Sequence, residues 1–276
     1  MKKLLIDKEK CIGCGMCTKI CFAHHLSLDE EKKCTEEDSL CIQCGQCATI
    51  CPKEAIAVEW LKDEPSVDMK SLNSRIEPEN LRDFLKSRRS CRYFTDKKIS
   101  RETFEELITF AAQSAPSYWN IQTTEFAILD ENLQAFREKL LKVYSKELDG
   151  HDYFNLHGED VDRDDVVRLF SQYMKGEFPF DQFFIGGKQA IAVFAKHPYD
   201  AVIATAYIEL MAHAMGLGGF WCGFAITAAQ RYPEEMMEFF PEIDQSKKLY
   251  SVYVIGYPKY KHRRTAAKAP VRITFD

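Results

Sequence analysis

CIGCGMCTKIC, from Cys11 to Cys21, returns thirty residues later as CIQCGQCATICP, from Cys41 to Pro52. The two runs hold eight of the 11 cysteines in the chain. Thiols at such density serve disulfides, a metal ion or a cluster. Disulfides belong to exported chains, and the N-terminal MKKLLIDKEKC has too short an apolar run for a secretory signal. Zinc sites use separated C-x-x-C pairs with every thiolate about 2.3 Å from one ion. Three cysteines in the seven residues Cys11–Cys17 suit that geometry badly. A cubane presents its irons at separate corners, so a loop wrapped round it offers one thiolate to each.

The spacing C-x2-C-x2-C-x3-C-P resembles the two-cluster bacterial ferredoxins, in which the fourth cysteine of each run ligates the other cluster. The resemblance implies one [4Fe–4S] cluster on Cys11, Cys14, Cys17 and Cys51, and a second on Cys41, Cys44, Cys47 and Cys21. Gly13, Gly15 and Gly45 suit tight loops whose N–H groups face cluster sulfurs. Phe22 replaces the proline after the first run. Residues 1–62 are thus expected to form a ferredoxin domain, with LLID and AIAVEW as outer strands. Cys34 fits neither run and is expected to be a free or partly buried thiol, with His24 and His25 on a surface loop.

The remainder is long enough for a second domain. The chain has 276 residues, is 46% hydrophobic and carries a net charge of −5, with basic residues scattered. No electrostatic footprint for nucleic acid is present. Leu210 to Gln230 is uncharged but is interrupted by GLGG, so it is expected to be a buried helix entering a buried loop or strand rather than a membrane span. The expectation is a soluble, cytoplasmic protein.

Residues 63–80 are polar with two prolines, as a linker would be. From residue 81 helical patterning sets in. Leu81, Phe84, Leu85 and Arg88 share a face, and Ser100 is placed to cap a helix striped by Phe104, Leu107, Ile108 and Ala111. Thr124–Asp130 and Leu249–Tyr257 have strand composition, and Asp200–Met215 is helical. HGEDVDRDDVVRLF, from His157, is acidic and amphipathic and is expected to be a solvated helix or lid, without a calcium-loop pattern. Helices mixed with scattered strands imply an α+β domain over residues 81–276.

Five short motifs follow in order in that domain: RRSCRYF (Arg88–Phe94), APSYWNIQ (Ala115–Gln122), LGGFWCGF (Leu217–Phe224), IGYP (Ile255–Pro258) and KHRR (Lys261–Arg264). With them the chain resembles the FMN-dependent nitroreductase family, and as a whole the ferredoxin-fused nitroreductases of anaerobic bacteria. Guanidinium groups bind phosphate bidentately, and reduced flavin needs a cation and backbone donors near its pyrimidine edge. The resemblance implies that Arg88, Arg89, Ser90 and Arg92 hold the phosphate, ribityl chain and pyrimidine edge. Arg263 or Arg264 closes on the phosphate, and Cys222 and Gly223 form a loop facing the ring. Pro116, Ser117 and Asn120 reach the isoalloxazine, commonly from the partner subunit of a homodimer. Cys91 is expected to be a small packing residue, although the flanking arginines could lower its pKa.

No G-x-G-x-x-G is present, so no Rossmann site for NAD(P)H is visible. The first functional expectation is an oxidoreductase passing single electrons from a low-potential, ferredoxin-like donor through two clusters to FMN, and on to a nitroaromatic or quinone-like acceptor. No catalytic acid or base is expected, because the flavin carries the chemistry. The rivals are an NAD(P)H-dependent flavoenzyme whose clusters are an outlet or sensor, and a pure electron carrier.

Overall fold

The computed structural model describes residues 4–64, 66–72, 75–148, 153–156, 159–162 and 183–275. Two compact units are present: Met1–Arg75 with Tyr118–Ile121, and Ile76–Ser117 with Gln122–Asp276.

The first unit is a duplicated half. Strand β1 (Leu4–Ile6), helix α1 (Met16–Ile20) and strand β2 (Leu26–Leu28) recur 30 positions later as β3 (Cys34–Glu36), α2 (Gln46–Ile50) and β4 (Ile56–Val58). Strands β1 and β4 fall in LLID and AIAVEW, where strands were expected; β1 pairs antiparallel with β4, and β2 with β3. Each short helix starts after a left-handed glycine, Gly15 or Gly45. The two halves differ at the preceding loop. A Cβ on Gly13, at φ +69°, would stand 2.3 Å from the Lys32 carbonyl, whereas Gln43 occupies the same position at φ 56°. The apolar interior is small: Leu4, Leu26, Ala55, Ile56 and Val58, packed with cysteines.

The second unit is built on a four-stranded antiparallel sheet in the order β5-β8-β10-β9. Its strands are β5 (Glu125–Leu129), β8 (Gln189–Ala195), β9 (Gly218–Trp221) and β10 (Lys248–Gly256). Every residue of β8 is buried. Ala190, Ala192 and Phe194 enter one apolar cluster, while Ile191, Val193 and Ala195 enter the other, as the two-residue period of a strand requires. The first face is covered by α5 (Leu133–Leu148), through Phe136, Leu140 and Val143, and by α7 (Gly223–Arg231) and α8 (Pro233–Met237). The second is covered by α4 (Arg101–Ser114), through Phe104, Leu107 and Ala111, and by α6 (Pro198–Ala214), through Ala201, Ile208 and Ala212. Ser100 caps α4 by accepting from the Thr103 N–H at 3.3 Å. This is a mixed α+β domain with a sheet covered on both faces.

Of the acidic stretch expected to be a solvated helix or lid, the described part is a strand. Strand β7 (Glu159–Asp162) pairs antiparallel with β6 (Tyr153–Leu156), whose backbone supplies the hydrogen bonds a solvated helix would have made internally. Residues 157, 158 and 163–170 of the stretch lie outside the described residues. The uncharged stretch from Leu210 is a helix end, then Gly216 at φ +76°, strand β9 and helix α7. Among the described residues no helix is long and apolar enough to cross a membrane.

Candidate functional sites

Two cavities in the first unit divide its eight run cysteines into fours. One, of about 350 Å³, is lined by Cys11, Cys14, Cys17 and Cys51, with Cys34 and Lys53 also in its wall. The other, of about 370 Å³, is lined by Cys21, Cys41, Cys44 and Cys47, with Leu4, Ala23 and His25. Each cavity takes three thiols from one run and the fourth from the other. Backbone N–H groups donate to sulfur in both: Cys34 to Cys11 at 3.4 Å and Ala55 to Cys51 at 3.3 Å, His25 to Cys21 and Gln43 to Cys41, both at 3.4 Å. Four thiols, two of them with amide donors at sulfur, are a set that suits an iron–sulfur cluster. Among the described residues no three His, Cys, Asp or Glu side chains converge as they would on a single ion.

One expectation for this unit needs correction. His25 is not on a surface loop but buried, its Nε2 3.1 Å from Glu36 Oε1 and its Nδ1 3.3 Å from Ser39 Oγ. The strand pair β2–β3 carries both partners to it, which sequence spacing does not show. Cys34 is wholly buried, with its Sγ 3.5 Å from that of Cys17.

In the second unit, helix α3 (Pro78–Ser87) delivers Arg88 at its C-terminal end. Ser87 Oγ lies 2.7 Å from His213 Nε2, and Phe84 packs on the same ring at 4.9 Å, which seats this end of α3 against α6. Arg88 Nη1 donates to Glu209 Oε1 at 2.8 Å, and the Trp221 indole N–H donates to Glu209 Oε2 at 3.4 Å. Arg88 and Arg89 line a cavity of about 1030 Å³ together with Arg82, Leu85, Lys86, Thr265, Ala266 and Lys268. Five cations round one hollow suit a phosphate or another oxyanion. Burial, and secondly the Arg88 charge, hold the His213 imidazole below its ordinary range. Burial pushes the Tyr253 phenol well above its own.

The other sequence-selected residues are distributed more widely. Arg92 lies over the Phe220 ring at 5.6 Å, and Ser90 is exposed no more than partly. Cys222 is buried, its Sγ 3.2 Å from the Phe183 carbonyl and its N–H bonded to the Val252 carbonyl at 2.8 Å. Gly223 begins α7, so the loop expected there is a strand-to-helix junction. Pro116 and Ser117 line a different cavity, of about 570 Å³, with Gln122, Thr124 and Asp200. Asn120 belongs to the segment grouped with the first unit, and its Nδ2 donates to the Gln43 carbonyl at 2.7 Å. Arg263 and Arg264 are exposed. Cys91 is a packing residue: its Cβ would meet a Cβ on Gly218 at 2.8 Å, and burial raises its thiol rather than lowering it. Sequence reasoning passed over Glu209 and Lys268, and took Trp221 only as part of LGGFWCGF. Lys268 was readable as one more cation after KHRR, whereas Glu209 carried no local signal.

Residues 85–257 match the family model described as Nitroreductase family, and residues 10–64 match the 4Fe-4S dicluster domain. Among solved structures the chain is similar to the nitroreductase with bound FMN from Bacteroides fragilis NCTC 9343. The identity is 15% and the TM-score 0.53, over 71% of this chain and 98% of that one. It is also similar to the nitroreductase with bound FMN from Desulfitobacterium hafniense DCB-2, at 19% identity and TM-score 0.53 over 72% and 99%. The BluB-like flavoprotein from Clostridium difficile 630 matches at 19% identity and TM-score 0.51, over 71% and 96%. At these identities the likeness is one of fold. No curated protein matches the chain.

Proposed function

We propose, for a chain that belongs to the nitroreductase family and carries a 4Fe-4S dicluster domain ahead of it, that two [4Fe–4S] clusters supply one-electron steps and FMN the two-electron step to an organic acceptor. The coarse function, an iron–sulfur flavoprotein oxidoreductase dependent on FMN, follows from the family. The observation that carries the finer reading is the division of eight cysteines into two cavities of four. Cys11, Cys14, Cys17 and Cys51 would hold one cluster, and Cys41, Cys44, Cys47 and Cys21 the other.

On the flavin side, Arg88, Arg89 and Lys268 supply positive charge for the phosphate, with Arg263 or Arg264 closing over it. Glu209 fixes Arg88 through one nitrogen and leaves its remaining N–H groups to bind. Ser90, Arg92, Pro116, Ser117, Asn120, Cys222 and Gly223 are assigned to the rest of the flavin by resemblance. We assign a homodimer on the same basis. It is supported by uncovered apolar surface: α3 has no buried residue, and Val271, Ile273 and Phe275 are 82%, 66% and 86% exposed. The acceptor is assigned to the nitroaromatic or quinone class, and the donor to a low-potential redox protein.

Anaerobically purified protein should contain about eight irons, eight acid-labile sulfides and one FMN per chain. Cys44→Ala should abolish turnover driven by reduced ferredoxin and leave turnover driven by dithionite. A zinc protein, four irons, or a variant still driven by ferredoxin at the parent rate would overturn the reading.

A further inference from the structure

The 30-residue repeat makes the two cysteine cavities comparable position by position, and several paired positions differ, among them Cys34 against Leu4, Lys53 against Ala23, Gly13 against Gln43, Met16 against Gln46 and Ala55 against His25. The first two give the first cavity alone an extra thiol and a cation. Cys34 stands in the wall of the cavity of Cys11, Cys14, Cys17 and Cys51, and its repeat mate Leu4 stands in the wall of the other. Lys53 likewise lines the first cavity, where its mate Ala23 lines the second. Backbone N–H groups donate to sulfur in both cavities. The side chains distinguish them. Cys34 Sγ lies 3.5 Å from Cys17 Sγ; once Cys17 is bound to iron as thiolate, the S–H donor of that pair is Cys34. Leu4 has no donor to offer. Lys33 adds a second ammonium group near the first cavity, its Nζ donating to the Cys11 carbonyl at 2.6 Å. In the second cavity His25 does not balance this charge, since its ring nitrogens face Glu36 and Ser39.

Hydrogen bonds to cluster sulfur and nearby positive charge both favour the reduced cluster, which carries one more negative charge. We propose that the two cluster sites are electronically unequal, that the cluster on Cys11, Cys14, Cys17 and Cys51 has the more positive midpoint potential, and that Cys34 is a positioning residue that sets this difference. It donates to a ligand sulfur without binding iron. An electron entering the unit therefore comes to rest on this cluster. The proposal rests on the two-cluster reading above.

The test is a redox titration of the full-length, iron-loaded protein followed by paramagnetic resonance, after iron and sulfide are counted. The parent should show two midpoints. Cys34→Ala should keep about eight irons and lower the higher midpoint towards the other, which stays in place. Cys34→Ser, which restores a donor, should bring the higher midpoint back. Lys53→Ala should move the same midpoint in the same direction by less. Cys14→Ser, at a ligand of the first cavity, identifies its signal. Two unmoved midpoints in Cys34→Ala, movement of the lower one, or assignment of the higher midpoint to the other cavity would overturn the proposal. So would loss of iron in Cys34→Ala, which would make Cys34 a ligand. Four irons in the parent would instead remove the two-cluster reading itself.

Discussion

At the centre of the second unit lie Phe136, Phe184, Phe194, Leu140 and Ile191, wholly buried on the two faces of one sheet. At the centre of the first lie two cysteine-lined cavities and five apolar side chains. The second unit buries enough hydrocarbon to hold itself together, because each buried large apolar side chain is worth about 1.5–3 kcal/mol. The first has strands of only three residues and too little apolar area to offset its chain entropy. What closes its loops is ligation. Stability in one unit is thus a property of the polypeptide, and in the other of polypeptide and cofactor together.

The largest effect that follows is on iron removal. Stripping iron by chelation with oxidation should unfold the first unit, with amide protection lost from Leu4–Ile6 and Ile56–Val58. Protection should persist in Gln189–Ala195 and Lys248–Gly256. Hydrogen exchange read by mass spectrometry checks both halves at once, and a first unit still protected without iron would break the comparison.

A smaller effect separates the two loops of the repeat. Gly13→Ala places a Cβ against the Lys32 carbonyl in a left-handed backbone and should cost about 2–4 kcal/mol in the iron-loaded protein. Gln43→Gly relieves the same backbone conformation where no such approach exists. It keeps the backbone N–H bond to Cys41 and should stay within about 1 kcal/mol of the parent. Thermal unfolding of the two loaded variants decides this, and equal losses would show the loops to be equivalent.

The smallest effect lies in the second unit and is one of pH. Burial and Arg88 depress the His213 pKa below 6.5, so the unfolded chain binds the proton more readily than the folded one. The contribution of His213 is complete above the unfolded pKa and is lost as pH falls through the folded value. Partial exposure keeps it small. Denaturant midpoints of the second unit should fall slightly from pH 7.5 to 5.5, and His213→Gln should flatten that slope; an unchanged slope would remove His213 as its source.

The same contrast decides what sequence could reveal. Three of the four thiols in each cavity lie within seven residues, so the cysteine runs announced themselves, as did the cap at Ser100 and the strands β1 and β4. Strands β2 and β3 are three residues each, LSL and CTE, and carry no pattern of their own. The repeat was legible in the cysteine runs but not in these strands, where LLI and CTE, or LSL and IAV, share little. Strand β8, QAIAVFA, is buried on both faces, so it lacks the polar alternation that marks a half-exposed strand. The arginine cluster was legible as local charge. Its partner Glu209 lies 121 positions away and could be found only from coordinates.

Each cavity borrows one thiol from the opposite run, and this exchange has a consequence for assembly. On the ligand sets proposed above, filling the cavity of Cys11, Cys14 and Cys17 requires Cys51 in place, and placing Cys51 orders the end of the run that supplies Cys41, Cys44 and Cys47. The reverse exchange through Cys21 closes the circle. The two sites are interlocked like links of a chain, so loading the first lowers the ordering cost of loading the second, by the reciprocity that binds any two coupled equilibria. Half-filled molecules should be scarce during maturation.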